Sequence, residues 1–322
     1  MNSDMQQRSS QSSGQARLNF SSSQCALFVL LVVLAPVFLT ACGSSKKEKP
    51  ALNAVAWGAG IFVAVGENGH ILTSPDGGDW KKIAGKAKLP TLTSVVWTGD
   101  AFVASGGGGN TIWWTSPTDW SVGTVGAEVD IYGLATGPSG VIAVGAGGAV
   151  FLSPDGVVWE SIETGIAETL RQATWGAGKY VAVGEEGAIW TSPGARIWTR
   201  AETPLEVPTI LLAVAYHEGM FFASGADGSI LESANGEQWS QTTLVAAQPM
   251  FGIAPGLGIF TFVGGLGAVL TTVDGSRFYP SGTPGTEQLN GVTIGNEMFV
   301  TVGSNERIYA SLDGTSWAEV HR

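Results

Sequence analysis

LNAVAWGAGIFVAVGENGHILTSPDGGDW, residues 52–80, reads as three short apolar runs parted by glycine-bearing turns and closed by an aromatic. The first run has the pattern L-x-x-V-x-W, with Leu52, Val55 and Trp57. The second is Phe62-Val63-Ala64-Val65, a β-rich run with no polar alternation, which indicates a strand buried on both faces. Gly66 and Gly69 bracket a tight turn, because glycine adopts positive φ at little cost. The third run is His70-Ile71-Leu72-Thr73. Ser74-Pro75-Asp76-Gly77 turns the chain again and leads through Trp80 to a fourth strand.

The same unit opens again at Leu92, Ile131, Leu170, Leu211, Met250 and Leu289. Its closing aromatics are Trp80, Trp120, Trp159, Trp198, Trp239, Phe278 and Trp317, spaced 40, 39, 39, 41, 39 and 39 residues apart. Four strands in about 40 residues, repeated seven times, predict an all-β fold: a seven-bladed β-propeller of four-stranded antiparallel blades. A linear solenoid would need polar capping repeats at its ends. The first and last units are ordinary, which favours a closed ring. The blades are expected at about 52–85, 92–125, 131–164, 170–203, 211–244, 250–283 and 289–322. Trp113 and Trp114, adjacent on one strand, face opposite ways and are expected to be buried against two different neighbours.

Composition agrees. Of 322 residues 46 are Gly, hydrophobic residues make up 44% and charged residues 13%. Disordered chains need high charge and few apolar residues, and so much glycine opposes long helices. The formal net charge of −11 excludes nucleic acid as a partner, since phosphate binding needs a basic surface.

The first fifty residues carry an address. The apolar run from Ala26 to Leu39 is 14 residues long, short of the ~20 that span a bilayer as a helix, and reads as a signal-peptide core. It ends in Leu39-Thr40-Ala41-Cys42, which resembles a bacterial lipobox. That resemblance implies a lipoprotein signal peptide over 1–41 and lipidation of Cys42. Residues 42–51 then form the lipidated cysteine and a polar tether, and 52–322 the propeller. The lipid would make the membrane a partner, and Gly43 after the cysteine implies the outer membrane of a Gram-negative envelope. Cys25 leaves with the signal peptide, so the mature body has no thiol for a disulfide or a metal.

The turn before each closing aromatic resembles the Asp box of neuraminidase-type repeats. It comprises Ser74, Asp76, Gly77 and Trp80 in the first unit. Ser153, Asp155, Gly156 and Trp159 form it in the third, and Ser311, Asp313, Gly314 and Trp317 in the last. Asn235 replaces the aspartate in the fifth unit, Thr272 and Phe278 vary the sixth, the second turn is shortened, and Gly194 stands for aspartate in the fourth. A group recurring once per blade is expected to fasten the fold rather than to catalyse. The complete unit, over residues 52–322, also resembles the photosystem II assembly and stability factor family. That resemblance implies a scaffold that binds a protein during membrane-complex assembly, through a basic surface. Here the part from Cys42 onward has 14 Lys/Arg against 26 Asp/Glu, so only the scaffold role carries over.

A sialidase-like glycoside hydrolase, or a carbohydrate-binding propeller with a glycan partner, is the alternative. Such hydrolases need clustered arginines and a tyrosine nucleophile, whereas Arg171, Arg196, Arg200, Arg277, Arg307 and Arg322 are scattered. His70, His217 and His321 fall in different repeats without zinc spacing. No cofactor, metal or catalytic residue is expected. The turns between second and third strands carry Glu67, Glu185, Glu186, Asp227 and Glu306, while Lys81, Lys82, Lys86 and Lys88 follow blade one. These acids mark the expected surface for a protein partner with a basic or mixed-charge face.

Overall fold

The computed structural model describes residues 48–83, 89–116, 119–205 and 209–321. The signal peptide, Cys42, Lys86 and Lys88 lie outside the described residues. The chain forms seven separate four-stranded antiparallel sheets, each of four consecutive strands. Blade 1 is β1 (Leu52–Gly58), β2 (Ile61–Gly66), β3 (Ile71–Ser74) and β4 (Lys81–Lys82). The inner strands of the other blades are β5 (Leu92–Trp97), β9 (Ile131–Gly137), β13 (Leu170–Gly176), β17 (Leu211–His217), β21 (Met250–Gly256) and β25 (Leu289–Gly295).

Each second strand is buried on both faces, as in Phe62–Val65, all at 0% exposure. Blades stack through apolar clusters that each draw on two neighbours, as between blades 1 and 2. Trp114 enters that cluster, and Trp113 packs on the opposite side with blade 3. At five of the seven seams a glycine ends an inner strand where the next blade lays a large side chain. A Cβ on Gly58 would come within 2.2 Å of Trp97, and one on Gly176 within 2.1 Å of Tyr216.

The ring closes without strand exchange: blade 7 runs from β25 to β28 (Ala318–His321), in sequence order. Its seam with blade 1 resembles the others. Trp57 covers Gly295, and Leu52, Phe62, Val300 and Ile308 share one cluster. Asn290 Nδ2 donates to Leu52 O at 2.8 Å. Among the described residues helix is confined to single-turn 3₁₀ segments between second and third strands. Among the described residues no helix is long and apolar enough to cross a membrane.

Candidate functional site

Five of the seven turns between third and fourth strands share one hydrogen-bonding scheme. Ser74 Oγ accepts from Gly77 N at 2.9 Å and donates to Asp76 Oδ1 at 3.0 Å. Asp76 Oδ1 accepts from Gly78 N and Asp79 N, and Trp80 Nε1 donates to Gly77 O. The backbone N–H groups of Asp79 and Gly78 hold the Asp76 carboxyl below its ordinary range. Ser153 with Asp155, and Ser311 with Asp313, repeat the pattern. Their carboxyls are likewise held low, by Val158 and Val157 N–H in one case and Ser316 and Thr315 N–H in the other. Trp317 Nε1 donates to Gly314 O, whereas Trp159 Nε1 has no such partner. Gly156 carries φ +78 and sits against Val103 of the preceding blade, so these turns also touch the neighbouring blade. In blade 4 Ala195 occupies the positive-φ position, at φ 63, and Ser192 Oγ lacks a hydrogen-bond partner.

The acids singled out in the second-to-third-strand turns all reach one rim, shared with the connections between blades. They do different things there. Glu67 Oε2 accepts from Ala51 N. Glu185 pairs with Arg171 at 2.6 Å. Asp227 Oδ1 accepts from the N–H and hydroxyl of Ser229; burial pushes its carboxyl up, but those bonds prevail and it lies low. Glu186 holds a left-handed conformation, φ 56, and is exposed.

Glu306 is unlike the rest. In blades 1 to 6 the corresponding turn ends in a positive-φ glycine whose missing Cβ makes room for the connection to the next blade. A Cβ on Gly69 would approach Leu89 to 2.2 Å, and one on Gly148 would approach Ile166 O to 2.1 Å. Blade 7 packs against blade 1 to close the ring, and Glu306 takes this place at φ 57. Its carboxylate bridges the ring seam. His321 Nε2 of blade 7 bonds Oε1 at 2.8 Å, and Lys49 Nζ lies 3.4 Å from the same oxygen. His70 Nε2 of blade 1 lies 2.8 Å from Oε2, outside hydrogen-bond alignment. Burial alone would raise the Glu306 pKa, but the His321 bond and the charges of His70 and Lys49 lower it. Burial dominates at His70 and lowers its pKa below 6.5. Two histidines from the first and last repeats are therefore neighbours, which linear spacing could not reveal. Among the described residues no group of three or more His, Cys, Asp or Glu is arranged to hold a metal ion.

A third feature lies on the axis. Every inner strand breaks register with its partner at its second residue, giving seven equivalent β-bulges. The bulged residues are Asn53, Thr93 and Tyr132, then Arg171 and Leu212, then Phe251 and Asn290. All seven are half-buried and line one axial cavity of about 180 Å³. The Arg171 guanidinium lies 4.6 Å over the Tyr132 ring. Its pairing with Glu185 ties the opening to the acid-bearing rim. The remaining described arginines do not converge: Arg196 pairs with Glu160, Arg200 with Glu168, and Arg307 with Glu287 and Glu319, while Arg277 lies over Tyr279. No motif marks the axial ring, because its members share a register position and not a residue type.

No family model and no curated protein sequence matches the chain. Solved structures do match. YCF48 bound to a D1 peptide is similar at a TM-score of 0.66 and 17% identity, over 82% of this chain and 94% of that one. YCF48 from Cyanidioschyzon merolae gives 0.62 at 16% identity, over 81% and 95%. Virginiamycin B lyase from Staphylococcus aureus gives 0.73 at 10% identity, over 80% and 93%. A peptide-bound protein and a lyase are matched alike, so what is shared is architecture. The chain is a seven-bladed β-propeller of four-stranded blades, similar in fold to both.

Proposed function

We propose that the chain is a non-enzymatic scaffold that holds a protein partner on the rim formed by its second-to-third-strand turns and interblade connections. The observation that carries this reading is the gathering of those turns, with their acids, around an axial opening that exposes aromatic, apolar and cationic side chains together. The likeness in fold to YCF48, solved with a bound D1 peptide, supports it. On the lipobox resemblance, Cys42 is lipidated and the scaffold works at a bacterial envelope membrane, the outer one in a Gram-negative cell, in assembly or maintenance of a membrane complex. Glu186 and Glu67 are exposed on the rim in different blades, with Glu185 next to Glu186, whereas Asp227 and Glu306 contribute mainly by holding its shape. The partner face this rim fits is basic or mixed in charge.

Crosslinked capture of the tagged full chain from its native membranes, read by mass spectrometry, tests the proposal. The expected result is one envelope protein in stoichiometric amount, reduced severalfold by Glu186→Lys. Recovery of glycan without protein would replace it with the carbohydrate-binding alternative.

A further inference from the structure

The seven bulges distinguish the axial opening from the rest of the fold. A β-bulge takes one residue out of the ladder and re-aims its side chain, so each blade turns one residue toward the axis. The residue before the bulge is a fully buried Leu, Ile or Met in every blade. The bulged residue itself is Asn, Thr, Tyr, Arg, Leu, Phe and Asn in turn. Positions that serve packing stay alike from copy to copy in this chain. A position that differs from blade to blade, while all its copies face one cavity, is released from packing and available for recognition.

The opening is also divided. Asn53, Asn290 and Thr93 use their side chains to bridge adjacent blades, donating to Leu92 O, Leu52 O and Ile131 O. That side is frame. Across from it, Leu212 and Phe251 stand next to Arg171. A guanidinium carries five donors; Arg171 commits one terminal nitrogen to Glu185, and its Nε is buried without a hydrogen-bond partner. Tyr132 holds the guanidinium plane from one side. A cavity of about 180 Å³ is smaller than the roughly 300 Å³ at which small-molecule sites begin, and so suits one side chain or one chain end.

We propose that the axial opening receives one bulky apolar group of an extended peptide with a carboxylate beside it. The apolar group sits against Leu212 and Phe251, and the carboxylate pairs with Arg171. The carboxylate belongs either to a chain terminus or to an Asp or Glu flanking the apolar residue. Glu185 is then an internal competitor for Arg171. This inference rests on the protein-binding reading and assigns it a site.

The test uses the full chain in detergent on a peptide array that varies two adjacent residues. The pairs are placed at a free C-terminus, at an amidated C-terminus and in mid-chain. Binding is expected only where a bulky apolar residue adjoins a carboxylate. Loss on amidation identifies the terminal source, and retention with a required Asp or Glu identifies the side-chain source. Arg171→Gln should weaken the best peptide about tenfold or more, and Phe251→Ala should weaken it severalfold. Glu185→Gln should tighten it. A merely structural Arg171–Glu185 pair would make both of its variants weaker, whereas a receptor makes them diverge, with thermal unfolding confirming that each variant folds. An array without bound peptide, or equal binding by Arg171→Gln, overturns the proposal. If a protein is still captured from membranes in that case, the scaffold reading stands without this site; if neither is bound, both fall.

Discussion

Ser192 shows how one residue's chemistry sets the strength of a turn. In five blades the Ser or Thr hydroxyl accepts from a positive-φ glycine N–H, as in Ser74 with Gly77 and Thr272 with Gly275. Blade 4 has Gly194 and Ala195 instead, which leaves the Ser192 hydroxyl unpartnered and an alanine in a left-handed conformation. A Cβ at Gly194 meets nothing within 4 Å, so an aspartate fits there without strain. The double variant Gly194→Asp/Ala195→Gly is expected to stabilise the protein by about 1–2 kcal/mol, through regained hydrogen bonds and relief of the left-handed alanine. A higher denaturant midpoint at unchanged slope is the check. The turn scheme was legible in the sequence wherever Ser, Asp, Gly and Trp recur. The penalty in blade 4 was not, because it depends on which backbone conformation Ala195 must adopt.

At the scale of elements, the inner strands do two jobs at their two ends. Where they end in glycine, as at Gly176, the next blade approaches until Tyr216 lies over the backbone. Gly176→Ala is expected to cost about 1–3 kcal/mol by overpacking that seam. Tyr216→Ala also destabilises, but the double variant should lose less than the sum, because the clash is gone. Denaturant unfolding of the four proteins in a double-mutant cycle measures that coupling, and additive losses would show that the glycine serves something else. At their first ends the same strands carry the bulges. Apolar periodicity located every inner strand, because packing demands repeat with the unit. It gave no hint of the bulges: a bulge is a mismatch between two strands, and a single strand's sequence does not record it.

At the scale of the whole ring, the ends of the chain meet at blade 7 and blade 1. Glu306 occupies a site that the other blades keep empty for a connecting segment, and there it contacts His70, His321 and Lys49. Repeat counting predicted a closed ring but could not say how it closes, since the residues of the seam lie at opposite ends of the sequence. His70 has its folded pKa lowered by burial, against Glu306, which raises it, and with Lys82 and His321 adding to the lowering. A lowered folded pKa means that stability is full above the unfolded value of 6.5 and is lost as pH falls below it. Glu306, also lowered, adds a second loss below its ordinary 4.5. The thermal midpoint is therefore expected to fall between pH 7.5 and 5.5, and to fall less in His70→Asn. Equal slopes in the two proteins would remove His70 as the source.

Closure without strand exchange also sets how the disc bears a mechanical load. The chain enters at its innermost strand, β1, which β2, β5 and β25 surround, and leaves at an outermost one, β28. Tension applied before Leu52 pulls lengthwise on a strand gripped from three sides and latched by Asn290, Glu67 and Glu306. Tension applied at His321 works on a short edge strand with one ladder neighbour. The propeller is thus strong when hung from its N-terminal end and peels first from its C-terminal one.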